Sequence, residues 1–224
     1  MYIVFYKSKG WKEVATEEIK EKIVETALQM FSSRGCRGVT MDDIAQTLHI
    51  SKRTLYETFA NKEELLAECL MQVHDRLNEM HRKAHSKVDE PLLVAMYMLR
   101  VGADSNHRYR RLLDEAERYY PEIHDRFFRL HTEALHTMMH HGMEYVQQHN
   151  YLRHDADIDV AVDFLCDLIQ RRRLSDVDDQ QAYLHRLNEI CFTYLRGLMS
   201  TDTIKRYEES VPHFRQVMEE LGEL

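Results

Sequence analysis

The sequence has little of what turns and bends a chain: 7 glycines and 3 prolines in 224 residues. Tight turns and β-hairpins draw on these residue types, so their scarcity argues against a loop-rich or all-β protein. Apolar residues make up 44% of the chain and charged residues 30%. That mixture suits helices with one apolar and one charged face. The composition predicts an all-α fold.

Cysteine is also scarce, and its placement excludes a disulfide framework. The four cysteines lie far apart in apolar helical patterns, without a CxxC pair, at Cys36, Cys69, Cys166 and Cys191. We interpret them as reduced core residues. The short apolar stretch at residues 2–6 is too short for the core of a signal peptide, and no later run approaches the length of a membrane span. The sequence therefore predicts a soluble, cytoplasmic protein without a membrane partner.

No motif for catalysis is present. The sequence has no glycine-rich phosphate loop, no nucleophile with its base and orienting group, and no paired-carboxylate motif. Histidines crowd one helical segment at His131, His136, His140 and His141, and Glu133-x-x-His136 has the spacing found in di-iron helices. Such a site needs a second Glu-x-x-His, and the chain has none. We predict no enzyme, no cofactor and no metal, and keep a helical, histidine-rich metalloprotein as the rival from another class.

The net charge of −8 is unevenly distributed. The first 60 residues carry 9 basic and 8 acidic side chains, and the rest carry 21 against 30. A nearly neutral N-terminal part thus precedes an acidic C-terminal part. This asymmetry is weak evidence for nucleic-acid binding on its own, because basic residues must also cluster on one face.

Three segments follow from the hydrophobic periodicity. Residues 1–15 have no helical period and carry Lys7, Lys9 and Lys12, so we expect a flexible arm. Residues 16–62 hold one amphipathic helix and two short ones, and residues 63–224 hold the remaining, longer helical patterns. The sequence predicts a three-helix head followed by a larger helical domain, connected by a fourth helix over 62–80.

The two short helices have capping signals at their starts. Thr40 is the N-cap of the first, with Asp43 three residues on, and Ser51 is the N-cap of the second. His49 and Ile50 form the tight turn between them. With a third helix at 17–34 to bury their apolar sides, they form a helix-turn-helix, whose second helix can enter the major groove of DNA.

Residues 23–66 closely resemble the N-terminal domain of the tetracycline-repressor (TetR) family of bacterial regulators. The match includes the stretch TMDDIA from Thr40 and the stretch ISKRTLYETFANKEELL from Ile50. The resemblance implies a transcription regulator that binds double-stranded operator DNA. It implies base-edge contacts by Lys52, Arg53, Thr54 and Tyr56, and phosphate contacts by Thr40, Tyr56 and Lys62. Arginine or lysine donating to guanine O6 and N7 agrees with this assignment.

In the family, a helix pair near the C-terminus packs against its twofold mate, so the resemblance also implies a homodimer. The matching apolar stripes lie in helices predicted at 155–174 and 179–199. The alternative is that both stripes face only the chain's own core. The candidate dimer residues are Ile158, Val162, Leu165, Ile169, Leu184, Leu187, Cys191, Tyr194 and Leu198.

The helices near residues 90–150 would enclose an effector pocket, as the resemblance implies. Methionines and aromatics suit an adaptable apolar cavity, although the same stripe also suits a plain core. The candidate lining residues are Met96, Tyr97, Phe128, Leu135, Met138 and Met139. The resulting hypothesis is a repressor released from a palindromic operator by a small-molecule effector. The nearer alternative keeps the DNA-binding head without an effector; the sequence specifies neither the effector, the operator, the regulated genes nor the sign of regulation.

Overall fold

A computed structural model of the chain describes residues 11–87, 108–170 and 180–206. Within these ranges the regular structure is helical, which confirms the predicted all-α class. The helices are α1 (Trp11–Arg34), α2 (Met41–Thr47), α3 (Lys52–Thr58), α4 (Lys62–Lys87), α5 (Arg110–Tyr119), α6 (Pro121–Gln148), α7 (Ile158–Gln170) and α8 (Gln180–Leu198). No helix in the described part is long and apolar enough to cross a lipid bilayer.

The chain divides into two compact units. The first reaches Gln72 and also takes in Arg111–Asp125; the second begins at Val73 and continues from Arg126. The head predicted at 16–62 therefore lies within a larger unit, which gains most of α5 from the C-terminal half of the sequence.

The helix α1 begins at Trp11, so residues 11–15 are helical and do not belong to the predicted arm. Residues 1–10, with Lys7 and Lys9, lie outside the described residues.

The first three helices form where capping and burial predict them. Helix α1 packs against α2, and α2 against α3. Gly35 ends α1 with a φ of +85°, a left-handed conformation that glycine adopts without steric cost. The core of this unit comes from the apolar side chains of α1, α2 and α4, and α5 adds Leu112 and Ala116, both fully buried.

The second unit has a continuous apolar core between α6, α7 and α8. Its central side chains include Leu135 and Met143 from α6, Val162 and Leu165 from α7, and Leu187 from α8. The segment after α6 returns beside the end of α8, where Leu152 and Met199 form an antiparallel bridge. This arrangement fixes which faces of α7 and α8 point inward.

The inward faces overturn part of the predicted dimer surface. Five of the nine candidates are at most 3% exposed and pack in their own chain's core: Val162, Leu165, Ile169, Leu187 and Cys191. A side chain buried within its own subunit cannot also contact a partner, so these five are corrected to core residues. Ile158, Tyr194 and Leu198 are partly buried against the same core. The side chain of Leu184 lies outside the described residues.

Candidate nucleic-acid interface

The short helix α3 is held by its ends and by one buried side chain. Ser51 Oγ accepts the Thr54 N–H at 3.0 Å, which confirms Ser51 as the N-cap. Leu55 is the buried residue of the helix, and Phe59 follows as its buried C-cap. The turn before α3 is closed by the Ile50 N–H, which donates to the Ala45 carbonyl at 3.0 Å, and His49 takes a φ of +54°. The exposed side chains of α3 are Lys52, Arg53, Tyr56 and Glu57.

Thr54 differs from the other predicted base-reading residues. Its side chain is half-buried, and its hydroxyl lies 2.8 Å from Ser51 Oγ. Tyr56, by contrast, is 49% exposed. Of the four predicted base readers, Lys52, Arg53 and Tyr56 are therefore the ones exposed at the surface of α3. The assignment of Thr54 as a base reader stays a prediction that requires its hydroxyl to exchange partners.

Both exposed cations of α3 pair with carboxylates. Lys52 Nζ lies 2.5 Å from Asp42 Oδ2 on α2, and Arg53 Nε donates to Glu57 Oε1 at 2.7 Å. The bond to Asp42 raises the pKa of Lys52 above its ordinary value, because the carboxylate stabilises the ammonium. Neither Asp42 nor Glu57 was among the predicted DNA-contacting residues, although the i, i+4 spacing of Arg53 and Glu57 was a signal for their pairing.

Thr40 caps α2 in a complete capping box. Its hydroxyl accepts the Asp43 N–H at 3.1 Å, and Asp43 Oδ2 accepts from both the Thr40 N–H and the Thr40 hydroxyl. These bonds lower the pKa of the Asp43 carboxyl below its ordinary value. Because the single hydroxyl proton of Thr40 already points to Asp43, a bond from this hydroxyl to a phosphate requires that proton to rotate.

Lys62 stands at the start of α4, behind an N-cap formed by Asn61. Asn61 Oδ1 accepts the Glu64 N–H at 2.8 Å. Lys62 Nζ lies 3.5 Å from the Arg37 carbonyl oxygen and 6.0 Å from the centre of the Phe31 ring. Its ammonium therefore contacts the turn between α1 and α2, and its predicted phosphate contact stays a prediction.

A contact that the sequence did not indicate holds this turn in place. Glu115 of α5 accepts the Arg37 N–H at 2.8 Å, and the Arg37 guanidinium donates to Tyr119 Oη at 3.1 Å and lies over the Tyr119 ring. Arg111 donates to the Ser33 carbonyl at 2.9 Å. Helix α5 thus braces the α1–α2 turn within the first unit.

The four described candidates for the effector pocket differ in exposure, and their place in a pocket stays a prediction. Leu135 is 7% exposed in the core of the second unit, with Met138 and Met139 packed against that core, whereas Phe128 is 36% exposed. Leu135 and the two methionines are therefore placed as core residues would be, and Phe128 lies at the surface. Met96 and Tyr97 lie outside the described residues.

The histidines of α6 have partners of two kinds. His136 Nε2 lies 3.1 Å from Asp163 Oδ1, and His140 Nε2 lies 2.9 Å from Asp159 Oδ1, both on α7. His131 is instead stacked on Phe127, and burial together with nearby His74 lowers its pKa from 6.5 to about 4. Over the described ranges, no group of three or more metal-ligating side chains is arranged to hold a metal ion.

Comparisons with known proteins agree with this geometry. Residues 23–69 match the family model described as bacterial regulatory proteins, tetR family. The HTH-type transcriptional repressor KstR2 of Mycobacterium tuberculosis is 28% identical over 150 residues, which is 65% of this chain and 75% of the relative. The biofilm operon negative regulator IcaR of Staphylococcus epidermidis is 28% identical over 126 residues, which is 54% of this chain and 65% of the relative.

Solved structures share the fold. A transcriptional regulator from Saccharomonospora viridis, crystallised with choline, superposes with a TM-score of 0.66 at 18% identity, over 77% of this chain and 95% of the other. The structure of KstR2, described as a ketosteroid transcriptional regulator, superposes with a TM-score of 0.55 at 22% identity, over 81% and 95%. The matching family is one of transcription regulators and not of enzymes. Residues 23–69 are therefore a DNA-binding domain of the tetR family, and the comparisons support a TetR-family transcriptional regulator.

Proposed function

We propose that this protein is a homodimeric repressor in which two copies of α3 read a palindromic operator and a small-molecule effector releases the DNA. DNA reading is supported chiefly by the structure of α3, a helix of seven residues. Its N-cap and its buried Leu55 hold it in place and leave Lys52, Arg53 and Tyr56 exposed. A recognition helix presents its N-terminal side chains to base edges in this way. The named relatives KstR2 and IcaR are a repressor and a negative regulator, which supports repression here.

The experiment for DNA reading begins with selection of an operator from a random duplex library by the purified full-length protein. Arg53→Ala should relax the preference at one base pair and cost about 1–3 kcal/mol of operator affinity. Arg126→Ala is the matched control, because Arg126 is an exposed arginine on α6 of the second unit. A uniform loss of affinity on all sequences would make Arg53 a phosphate contact.

Dimerisation is supported by a patch of exposed apolar side chains on α7 and α8. Val160 is 59% exposed, Phe164 42% and Ile190 39%. The Phe164 ring lies 4.4 Å from that of Tyr194, which joins the patch across the two helices. Exposed apolar patches of this kind mark association sites. A twofold partner is also what a reader of palindromic half-sites requires.

The effector is supported by the relatives and by polar groups within the second unit. A regulator of this fold was crystallised with choline, and KstR2 is described as a ketosteroid regulator. In the second unit, the buried Nδ1 atom of His74 has no hydrogen-bond partner in the described part of the chain, and its ring meets His131 edge-on at 5.9 Å. A ligand oxygen would satisfy such a group.

Choline and a ketosteroid are therefore the first two probes. A compound that binds only the folded protein must raise its melting temperature, and an effector must also lower the affinity for the selected operator. A compound that raises the melting temperature and leaves operator affinity unchanged is a ligand but not an effector. If no compound from a broad metabolite panel does either, the alternative of a regulator without an effector is favoured.

A further inference from the structure

Two carboxylates stand among the residues that are proposed to read DNA. Asp42 lies in the first turn of α2, and Glu57 lies one turn after Arg53 on α3. Their ion pairs are well exposed: 66% and 55% for the Lys52 and Asp42 side chains, 86% and 62% for Arg53 and Glu57. Ion pairs this exposed contribute only about 0–1 kcal/mol to folding stability. Folding stability does not explain why two acidic side chains occupy a surface that has to approach a polyanion.

Duplex DNA carries one phosphate charge per about 1.7 Å of helix axis. A carboxylate carried into the major groove beside α3 is repelled by these phosphates unless a cation neutralises it. Asp42 and Glu57 are neutralised as long as Lys52 and Arg53 stay paired with them. The cost of each carboxylate to the free energy of DNA binding therefore depends on whether its cation stays paired with it in the complex.

Reading a base does not require either pair to break. Arg53 donates to Glu57 through Nε, and a guanidinium carries four further N–H donors on its two Nη atoms, enough to bond guanine O6 and N7 together. The Lys52 ammonium has three donors, of which Asp42 takes one. With the cognate base present, each cation can bond it and its carboxylate at the same time.

On DNA of the wrong sequence, Lys52 and Arg53 have no matching base to contact. Without a matching base, the cations gain most by contacting phosphates, which draws them away from Asp42 and Glu57. Each carboxylate is then left unpaired beside the DNA backbone. The repulsion falls mainly on non-cognate complexes.

We propose that Asp42 and Glu57 are specificity-determining residues: each positions its cation for base contact and raises the free energy of complexes with non-cognate DNA. The proposal rests on the proposed DNA-reading function of α3. It gives the two pairs a role in discrimination in place of a role in stability.

The test compares Glu57→Gln and Asp42→Asn with the wild-type protein on the selected operator and on a random duplex. Each variant keeps the shape of the side chain and a hydrogen-bond acceptor but loses the charge. Affinity for the random duplex should rise about two- to fivefold, the equivalent of one exposed ion pair, while operator affinity changes less, so that the ratio between them falls. Glu122→Gln is the control, since Glu122 is an exposed glutamate at the start of α6.

Salt supplies a second readout that a purely structural role would not change. The gain on random DNA should shrink as salt is raised from 0.05 M to 0.5 M, because repulsion between carboxylate and phosphate is screened over about 10 Å at 0.1 M and less above it. If Lys52→Ala and Arg53→Ala weaken operator binding but the two neutral variants keep the wild-type affinity ratio, this proposal is overturned and DNA reading by α3 stands. If Lys52→Ala and Arg53→Ala bind the operator as the wild type does, DNA reading by α3 fails, and this proposal fails with it.

Discussion

The Glu115 carboxylate fills the space into which a side chain at Gly35 would point. A Cβ atom built on Gly35 would lie 1.9 Å from Glu115 Oε1. The other oxygen, Oε2, accepts the Arg37 N–H at 2.8 Å. Glycine is favoured here by its φ of +85°, and a side chain at this position would also displace the Glu115 carboxylate. This contact ties α5 to the turn that leads into α2.

Gly35→Ala should lower the free energy of unfolding by about 1–3 kcal/mol. A left-handed conformation costs a residue with a Cβ about 1–2 kcal/mol. Displacing Glu115 also breaks its exposed bond to the Arg37 N–H, which adds about 1 kcal/mol or less because water can replace the carboxylate. Urea unfolding monitored by circular dichroism measures the change. Gly38→Ala is the control: its Cβ would lie 3.4 Å from the nearest atom, the Arg34 carbonyl oxygen, so its effect should be small. Equal losses in both variants would contradict this account.

A double-mutant cycle separates the two costs of Gly35→Ala. In a Glu115→Ala background the carboxylate is gone, and the substitution at Gly35 should cost only the backbone strain of about 1–2 kcal/mol. The two single substitutions should therefore be non-additive, with the double variant more stable than their sum predicts. Additive losses in urea unfolding would mean that Glu115 and Gly35 do not interact.

Local features of this fold could be read from the sequence, because their causes lie within a few residues. The caps Thr40, Ser51 and Asn61 each bond a backbone N–H three residues ahead, and those spacings are visible in the printed chain. The bond between Glu115 and Arg37 joins residues 78 positions apart. No periodicity indicates such a pair, so the place of α5 in the first unit was not predictable.

The error in the dimer surface has a similar physical origin. Helix α7 carries apolar residues on two faces: Val162 and Leu165 point into the core, whereas Val160 and Phe164 are exposed. Periodicity identifies an apolar stripe but does not say what covers it. Only the packing of α6 against α7 and α8 distinguishes the two faces.

Thr40→Val tests whether the cap of α2 also serves DNA binding. Loss of the hydroxyl removes the acceptor of the Asp43 N–H and should lower the free energy of unfolding by about 1 kcal/mol. If the Thr40 hydroxyl also contacts a phosphate, operator affinity should fall further than the stability change explains. Thr40→Ser keeps both functions and is the control. Operator affinity equal to that of the wild type, measured by fluorescence anisotropy, would remove Thr40 from the phosphate contacts.

The partly buried His131 of α6 should make the second unit sensitive to acid. The pKa of His131 falls from 6.5 to about 4 in the folded protein, so between these values the unfolded chain binds more protons than the folded one. The contribution of uncharged His131 to the free energy of unfolding is therefore complete above about pH 6.5. It decreases as the pH falls toward 4, by at most about 3 kcal/mol. His131→Phe, which keeps an aromatic ring against Phe127, should remove this part of the pH dependence. The control is His141→Gln, at an exposed histidine of the same helix, which should retain this pH dependence. A wild-type pH profile for His131→Phe would mean that another group causes the acid sensitivity.

Phe164→Glu should convert the protein to a monomer if the exposed patch on α7 and α8 is the dimer interface. A carboxylate placed at the centre of an apolar contact loses its hydration without a partner, a cost that an interface of modest size does not offset. Light scattering coupled to gel filtration gives the mass, which should halve while circular dichroism shows the helices intact. Leu130→Glu is a closely matched control, because Leu130 is 41% exposed against 42% for Phe164 but lies on α6, outside the patch. Operator binding should fall with the mass, since one recognition helix alone contacts one half-site. A dimer that survives Phe164→Glu but dissociates on Leu130→Glu would place the twofold contact on α6.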